Sequence, residues 1–343
     1  MKNIKLIIVL LALSSSSVFG QQDVHFSQFF SSPLTLNPAN AGIFDGDLRA
    51  IVNYRNQWSS ISKSYATSAA SLDFPILREM GGGMFGLGVN FSKDGSGDSK
   101  LSTTNFALSV AYHLDISGGQ NNHYLSLGFQ AGAIQRSINH SNLTWDNQWN
   151  GSGFDRQVQS TSVGDLGGTS AKAMDLSTGM HWYYAPTNET RVFAGFSFFH
   201  FNRPDIGFGI ETHLLRKLTV HGGGEINIGE GLAFMPNFVT AIQGSNKYTD
   251  VGAEFKYFIK ENSKFTNYSN EMFFSAGPYL RWNDAAYIVA RLGLKSFVTS
   301  ISYDFNISKL ANATSGAGGF EIMLGYKLNL SKTATKGHKL RFK

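Results

Sequence analysis

The chain has 343 residues, a net charge of +5, 15% charged and 13% aromatic residues, 37 glycines and no cysteine. Without cysteine there is no disulfide framework and no cysteine zinc site; the small charge bias gives no support for nucleic-acid binding; and glycine without a Gly-X-Y period excludes collagen. Sparse charge with abundant aromatics fits an all-β chain whose outside faces an apolar medium.

The first segment reads Met1-Lys2-Asn3-Ile4-Lys5, an apolar run from Leu6 to Leu13, a serine cluster, and Val18-Phe19-Gly20. A positive start, a short apolar stretch and small residues before a cut predict a secretory signal peptide over 1–20. A membrane-spanning helix needs about 20 apolar residues, more than this run supplies. No cysteine follows the predicted cut, so a lipoprotein anchor is excluded, and losing Lys2 and Lys5 lowers the net charge from +5 to +3.

Residues 21–46 form an aromatic arm. Phe26-Ser27-Gln28-Phe29-Phe30 leads into Pro33, Asn37-Pro38 and Gly42, and neither a regular helix nor a central strand runs through such closely spaced breakers. After Gly46 the pattern changes. Asp47, Arg49, Asn53 and Arg55 alternate with Leu48, Ala50, Val52 and Tyr54, with only Ile51 out of place, the signature of a strand with two unlike faces.

That alternation recurs to residue 330. Phe85, Leu87, Val89 and Phe91 oppose Gly86, Gly88, Asn90 and Ser92; Phe106, Leu108, Val110 and Tyr112 oppose Asn105, Ser109 and His113; Phe320, Ile322, Leu324 and Tyr326 oppose Glu321 and Lys327. Similar segments near 64–74, 122–134, 172–183, 189–200, 216–227, 232–243, 250–257, 269–280, 285–293 and 296–306 bring the number to about 14 strands. An even number suits a closed antiparallel barrel. Soluble sandwiches and lipocalin-like barrels also alternate, but they turn the apolar face inward and present charge outside. Here the polar parity is Gly, Ser, Thr and Asn, and the other carries Phe, Leu and Tyr, with aromatics near segment ends. That predicts an all-β transmembrane barrel over 47–330 with its apolar face in outer-membrane lipid.

With a periplasmic N-terminus, the longest connectors, near 135–171, 201–214 and 306–318, fall outside, and tight ones such as Leu294–Lys295 fall inside, as barrels of this class have them. Two connectors misfit: 243–247 is short yet assigned outside, and 260–268 is long yet assigned inside. One missed or extra strand there would repair or break the scheme. The remaining segment, 331–343, carries Lys332, Lys336, Lys339, Arg341 and Lys343 and no acid, and reads as a basic periplasmic tail.

Catalytic and cofactor signatures are missing. Gly81-Gly82-Gly83-Met84-Phe85-Gly86 satisfies G-x-G-x-x-G, but a strand follows where a dinucleotide site needs a helix. The chain contains no G-x-x-x-x-G-K-[ST], H-E-x-x-H or G-x-S-x-G, the histidines are scattered, and Asp94–Asp98 lacks the ligand density of a calcium loop. No enzyme activity, cofactor or metal is expected.

The inner parity collects Asp47, Arg49, Arg55, Asp73, Asp175, Glu254, Lys256, Arg291, Asp304, Glu321 and Lys327. Two readings fit: paired or hydrated lumen charges, or an arm over 23–46 folded into the lumen and held by Arg49, Arg55 and the acids, since irregular backbone survives at membrane depth only inside protein or a wet cavity. Phe26, Phe29 and Phe30 either pack within the barrel or form a periplasmic docking arm for a partner. Trp145, Trp149 and Phe154 in the longest loop either bind an exported protein or pack on one another.

Taken together, His25-Phe26-Ser27-Gln28-Phe29, Pro33-Leu34, Leu36-Asn37-Pro38-Ala39, Ala41-Gly42 and Tyr54-Arg55-Asn56-Gln57-Trp58 resemble the PorP/SprF family of the Bacteroidota. Ser302-Tyr303-Asp304-Phe305-Asn306, Gly318-Gly319-Phe320-Glu321-Ile322 and Met235-Pro236-Asn237-Phe238 agree with it. The resemblance implies an outer-membrane component of type IX protein secretion, with gliding motility in some members. It also implies partners: periplasmic ring and motor components, and a secreted adhesin with a C-terminal sorting domain. Asn37, Pro38 and Trp58 lie in its most specific block and join the aromatic and arginine positions as candidates. The alternative is a porin-like channel for small solutes, which requires an open polar bore.

Overall fold

A computed structural model describes residues 23–329, apart from 59–63, 98–99, 119–121, 140–142, 156, 159–167, 188–189, 261–270 and 310. The expected signal peptide and basic tail therefore lie outside the described residues.

Fourteen strands form a closed antiparallel barrel in chain order. They are β1 Leu48–Gln57, β2 Tyr65–Met80, β3 Gly83–Ser96, β4 Leu101–Asp115, β5 His123–Ser137, β6 Ser170–Tyr184, β7 Thr190–Phe199, β8 Lys217–Gly229, β9 Leu232–Gln243, β10 Asn246–Lys260, β11 Met272–Arg281, β12 Ala285–Leu294, β13 Phe297–Asn306 and β14 Ala317–Leu328. Closure comes from β1 against β14, in register from Leu48↔Leu328 to Gln57↔Gly319. The last strand starts three residues before the alternation suggested, because Gly319 still pairs with Gln57 and Gly318 accepts from Trp58 N.

The period of two assigns the faces. Val52, Leu108, Ile288 and Leu324 are each more than half exposed on the outside, whereas Asn53, Arg55, Ser109 and Glu321 are buried on the inside. A closed ladder leaves no open edge, so the spanning backbone is satisfied from strand to strand, apart from a few register shifts such as Ile76/Met80 and Tyr303/Phe305.

Both barrel ends of the chain, Leu48 and Leu328, lie at the end closed by short turns such as Gly81–Gly82 and Lys295–Ser296. The opposite end carries the connectors 138–169, 200–216 and 307–316. Among the described residues no strand is missing or added around the two misfitting connectors. The β9–β10 link is a two-residue turn at the long-loop end and 261–271 lies at the short-turn end, so both are real departures from the usual asymmetry.

The core lies inside the barrel, between the wall and the arm. Phe29 packs with Val239, Tyr279, Tyr287 and Val289, and Leu34 with Ala41 and Ala111. The breakers act as expected: the arm is a series of single helical turns, Phe29–Ser31, Pro33–Leu36 and Pro38–Asn40, each ended within one turn. It starts at Asp23 beside His200 and Lys217 at the long-loop end and reaches Asp45–Gly46 at the short-turn end, where β1 begins. The arm thus runs the length of the lumen.

Candidate functional site

The arm is fixed at three levels. At the long-loop end, Asp23 accepts from His200 Nε2 at 2.9 Å and Lys217 Nζ at 3.2 Å, while His200 Nδ1 faces Asp175 at 2.8 Å. Burial opposes charge on His200, but Asp23 and Asp175 outweigh it and push its pKa up to about 9. Burial would likewise raise Asp23, yet His200 and Lys217 hold it well below the usual carboxylate range. Next to them His25 is kept neutral, first by burial and then by Arg55, Arg281 and Lys217.

Below this lies a buried polar network. Glu321 accepts from the consecutive backbone amides of Ser27 (2.6 Å) and Gln28 (2.9 Å) and from Arg55 Nη1 (2.5 Å). The Ser27 hydroxyl donates to Asp304 and accepts from Arg55 and from Arg281 at 2.7 Å. Arg281 also pairs with Asp250 and Asp304. Gln28 bonds Ser300 and Ser302. Removing one member of such a network would leave the others charged and buried, at a cost of about 3–5 kcal/mol.

Toward the short-turn end, glycines on the inner parity let the arm touch the wall. A Cβ at Gly179 would lie 2.0 Å from Asn37 Oδ1, one at Gly128 2.3 Å from Ala39 N, and one at Gly86 1.9 Å from the Ala41 carbonyl. Asn37 uses this approach: Nδ2 donates to the Met180 and Phe196 carbonyls, and Oδ1 accepts from Ala39 N. Asp73 receives Gly42 N at 2.8 Å and two bonds from Arg49, which also donates to the Asn40 carbonyl and stacks on Phe44. His113 bridges the Ala41 carbonyl and Ser126.

Of the candidate residues, Phe26 and Phe29 are buried in the lumen, Phe30 packs edge-on to Phe29, and Asn37, Pro38, Arg49 and Arg55 all contact or belong to the arm. Trp58 stands apart at the long-loop mouth, edge-on to Tyr65 and near Asp23 across a cavity of about 280 Å³. In the longest loop Trp149 and Phe154 pair at 5.0 Å with about half their surface exposed, and Trp145 is not stacked with them. Sequence reasoning missed Ser27, Arg281, His200 and the inner glycines. The inner-parity abundance of Gly was visible, but its use as an arm-sized groove was not. Among the described residues no cluster could hold a metal ion.

No curated protein matches the chain. Solved structures similar to it include the Pseudomonas putida toluene transporter TodX, at 11% identity over 86% of this chain and 91% of that one with a TM-score of 0.45. BamA from Haemophilus ducreyi lacking POTRA domains 1-3 follows at 9% identity, with 82% and 70% covered and a TM-score of 0.40. KdgM porin gives 7% identity, with 81% and 99% covered and a TM-score of 0.35. The model of one family, described as type IX secretion system membrane protein PorP/SprF, matches residues 18–326. The chain belongs to that family and is an outer-membrane barrel associated with the type IX secretion system.

Proposed function

We propose that this barrel is an accessory and anchoring component of type IX secretion, with its bore closed by the arm. It helps to deliver or hold a secreted adhesin with a C-terminal sorting domain at the surface, and it contacts periplasmic ring and motor components. In cells that glide, it serves that motility as well. The observation that supports a scaffold over a porin is the arm running the length of the lumen, tied by Arg55, Asp304, Glu321 and Arg281. A porin needs a continuous polar path, and each of these bonds would have to break to provide one.

In this reading the exposed Trp149–Phe154 pair takes part in adhesin binding, because a few anchor residues, Trp prominent among them, dominate the energy of an interface. Contact with the ring falls to the short-turn end and the 331–343 tail. Affinity purification from the outer membrane is expected to recover ring components and one adhesin; the double variant W149A/F154A is expected to lose the adhesin and keep the ring. Recovery of no secretion component by the intact chain would sink the proposal.

A further inference from the structure

At the short-turn end the arm leaves a cavity of about 320 Å³, lined on the apolar side by Phe30, Leu36, Phe44, Phe193 and Met235. An adjoining cavity of about 270 Å³ shares Phe30 and Met235 and continues to Lys295 and Asn329 at the mouth. Both are bordered by Arg49, Arg191, Arg291 and Lys327, which outnumber the acids Asp45 and Glu225 that line both. A concave space with one apolar wall and convergent polar groups opposite it has the form of a small-ligand site.

The cations are not equally satisfied. Arg49 is engaged by Asp73 and the Asn40 carbonyl, and Arg291 by Glu254. Arg49 and Arg291 also lie 4.6 Å over the rings of Phe44 and Phe30, respectively, so they support the apolar wall. Arg191 pairs through one nitrogen with Glu225, an acid shared with Lys256, and its side chain is 42% exposed. Lys327 is exposed and has no carboxylate within ion-pairing distance among the described residues; Asp45 and Glu271 act on it only from farther away. In the β1–β14 register Lys327 sits directly opposite Arg49, and like charges at facing positions repel. An anion placed there would relieve that repulsion.

We propose that this vestibule binds an apolar carboxylate, either a free organic acid or the end of a polypeptide chain. The carboxylate lies between Lys327 and Arg191, and the apolar part lies against Phe30, Phe44 and Met235. The ligand enters from the short-turn end, so the site is independent of what the outer loops hold and does not depend on the secretion role.

The test uses the full chain purified into lipid nanodiscs and titrated calorimetrically with two probes, 4-phenylbutanoate and N-acetyl-leucyl-phenylalanine, each beside its neutral amide. Saturable binding of at least one acid is expected, about tenfold or more tighter than its amide, the range for a bond to a charged group. Lys327→Gln and Arg191→Gln are each expected to bring the acid close to its amide. Lys247→Gln, at the opposite mouth, is expected to change nothing. Retained heat-modifiable migration checks that each variant is a folded barrel. Tighter binding of the peptide acid identifies a chain terminus as the source, and tighter binding of the simple acid identifies a free one. Equal binding of acid and amide, unchanged affinity in Lys327→Gln, or no saturation by either acid to about 10 mM would overturn the proposal.

Discussion

Replacing Glu321 with glutamine probes the arm where it is held most tightly. The native carboxylate takes two backbone N–H groups and one guanidinium, from Ser27, Gln28 and Arg55. The amide keeps one acceptor oxygen, turns a donor toward other donors, and leaves Arg55 to share Asp304 with Arg281. Breaking a buried pair in this way costs about 3–5 kcal/mol. Nearly all of it falls on arm docking, because the β1–β14 and β13–β14 ladders use backbone groups that the substitution does not touch. Local opening of the arm is therefore expected to become about 10²-fold or more frequent. Hydrogen exchange read by mass spectrometry over residues 24–32 measures this directly. Acceleration of Ser27 and Gln28 with β13 and β14 unchanged is the expected pattern. Rates within about threefold of the parent, or equal acceleration along both strands, would refute the reasoning.

Two further substitutions follow from the same geometry. Gly179→Val puts a branched side chain where Asn37 Oδ1 lies 2.0 Å from the ideal Cβ position, so it should displace the arm at a cost of about 2–4 kcal/mol and expose it to protease while the barrel still assembles; Gly95→Val, with open space around its Cβ, should do neither. The His200 latch sets a pH dependence: with its pKa raised to about 9, its contribution is complete below the ordinary value near 6.5 and is lost as pH rises through 9. The size is about 3 kcal/mol. Protection at residues 23–26, taken relative to the intrinsic exchange rate at each pH, should therefore fall over that interval in the parent and stay flat in His200→Gln, and matching profiles would remove His200 from the account.

The wall was legible because it repeats. Along the strands the outward side chains follow the period of two, and burial confirms what the alternation implies; the departures sit at strand ends and irregularities, such as Leu77, which turns outward at a positive φ where the β2–β3 register shifts. Ile51, apolar on the polar parity, was the one hint in the first strand that the lumen is not simply wet; it is 8% exposed and lines the cavity behind the arm. The arm's destination was not legible, because its partners are remote in sequence. Ser27 meets Asp304 and Glu321 nearly 300 residues away, and no local pattern encodes that distance. The inner glycines were equally ambiguous: Gly128 and Gly179 read as small strand residues until Ala39 and Asn37 are seen to occupy the space a side chain would fill.

The central claim is that the arm closes the bore, and single-channel recording in planar bilayers tests it most directly. The intact chain is expected to give little or no steady conductance, and a chain lacking residues 23–46 a large and stable one. An intact chain that conducts as well as the deletion would contradict the claim.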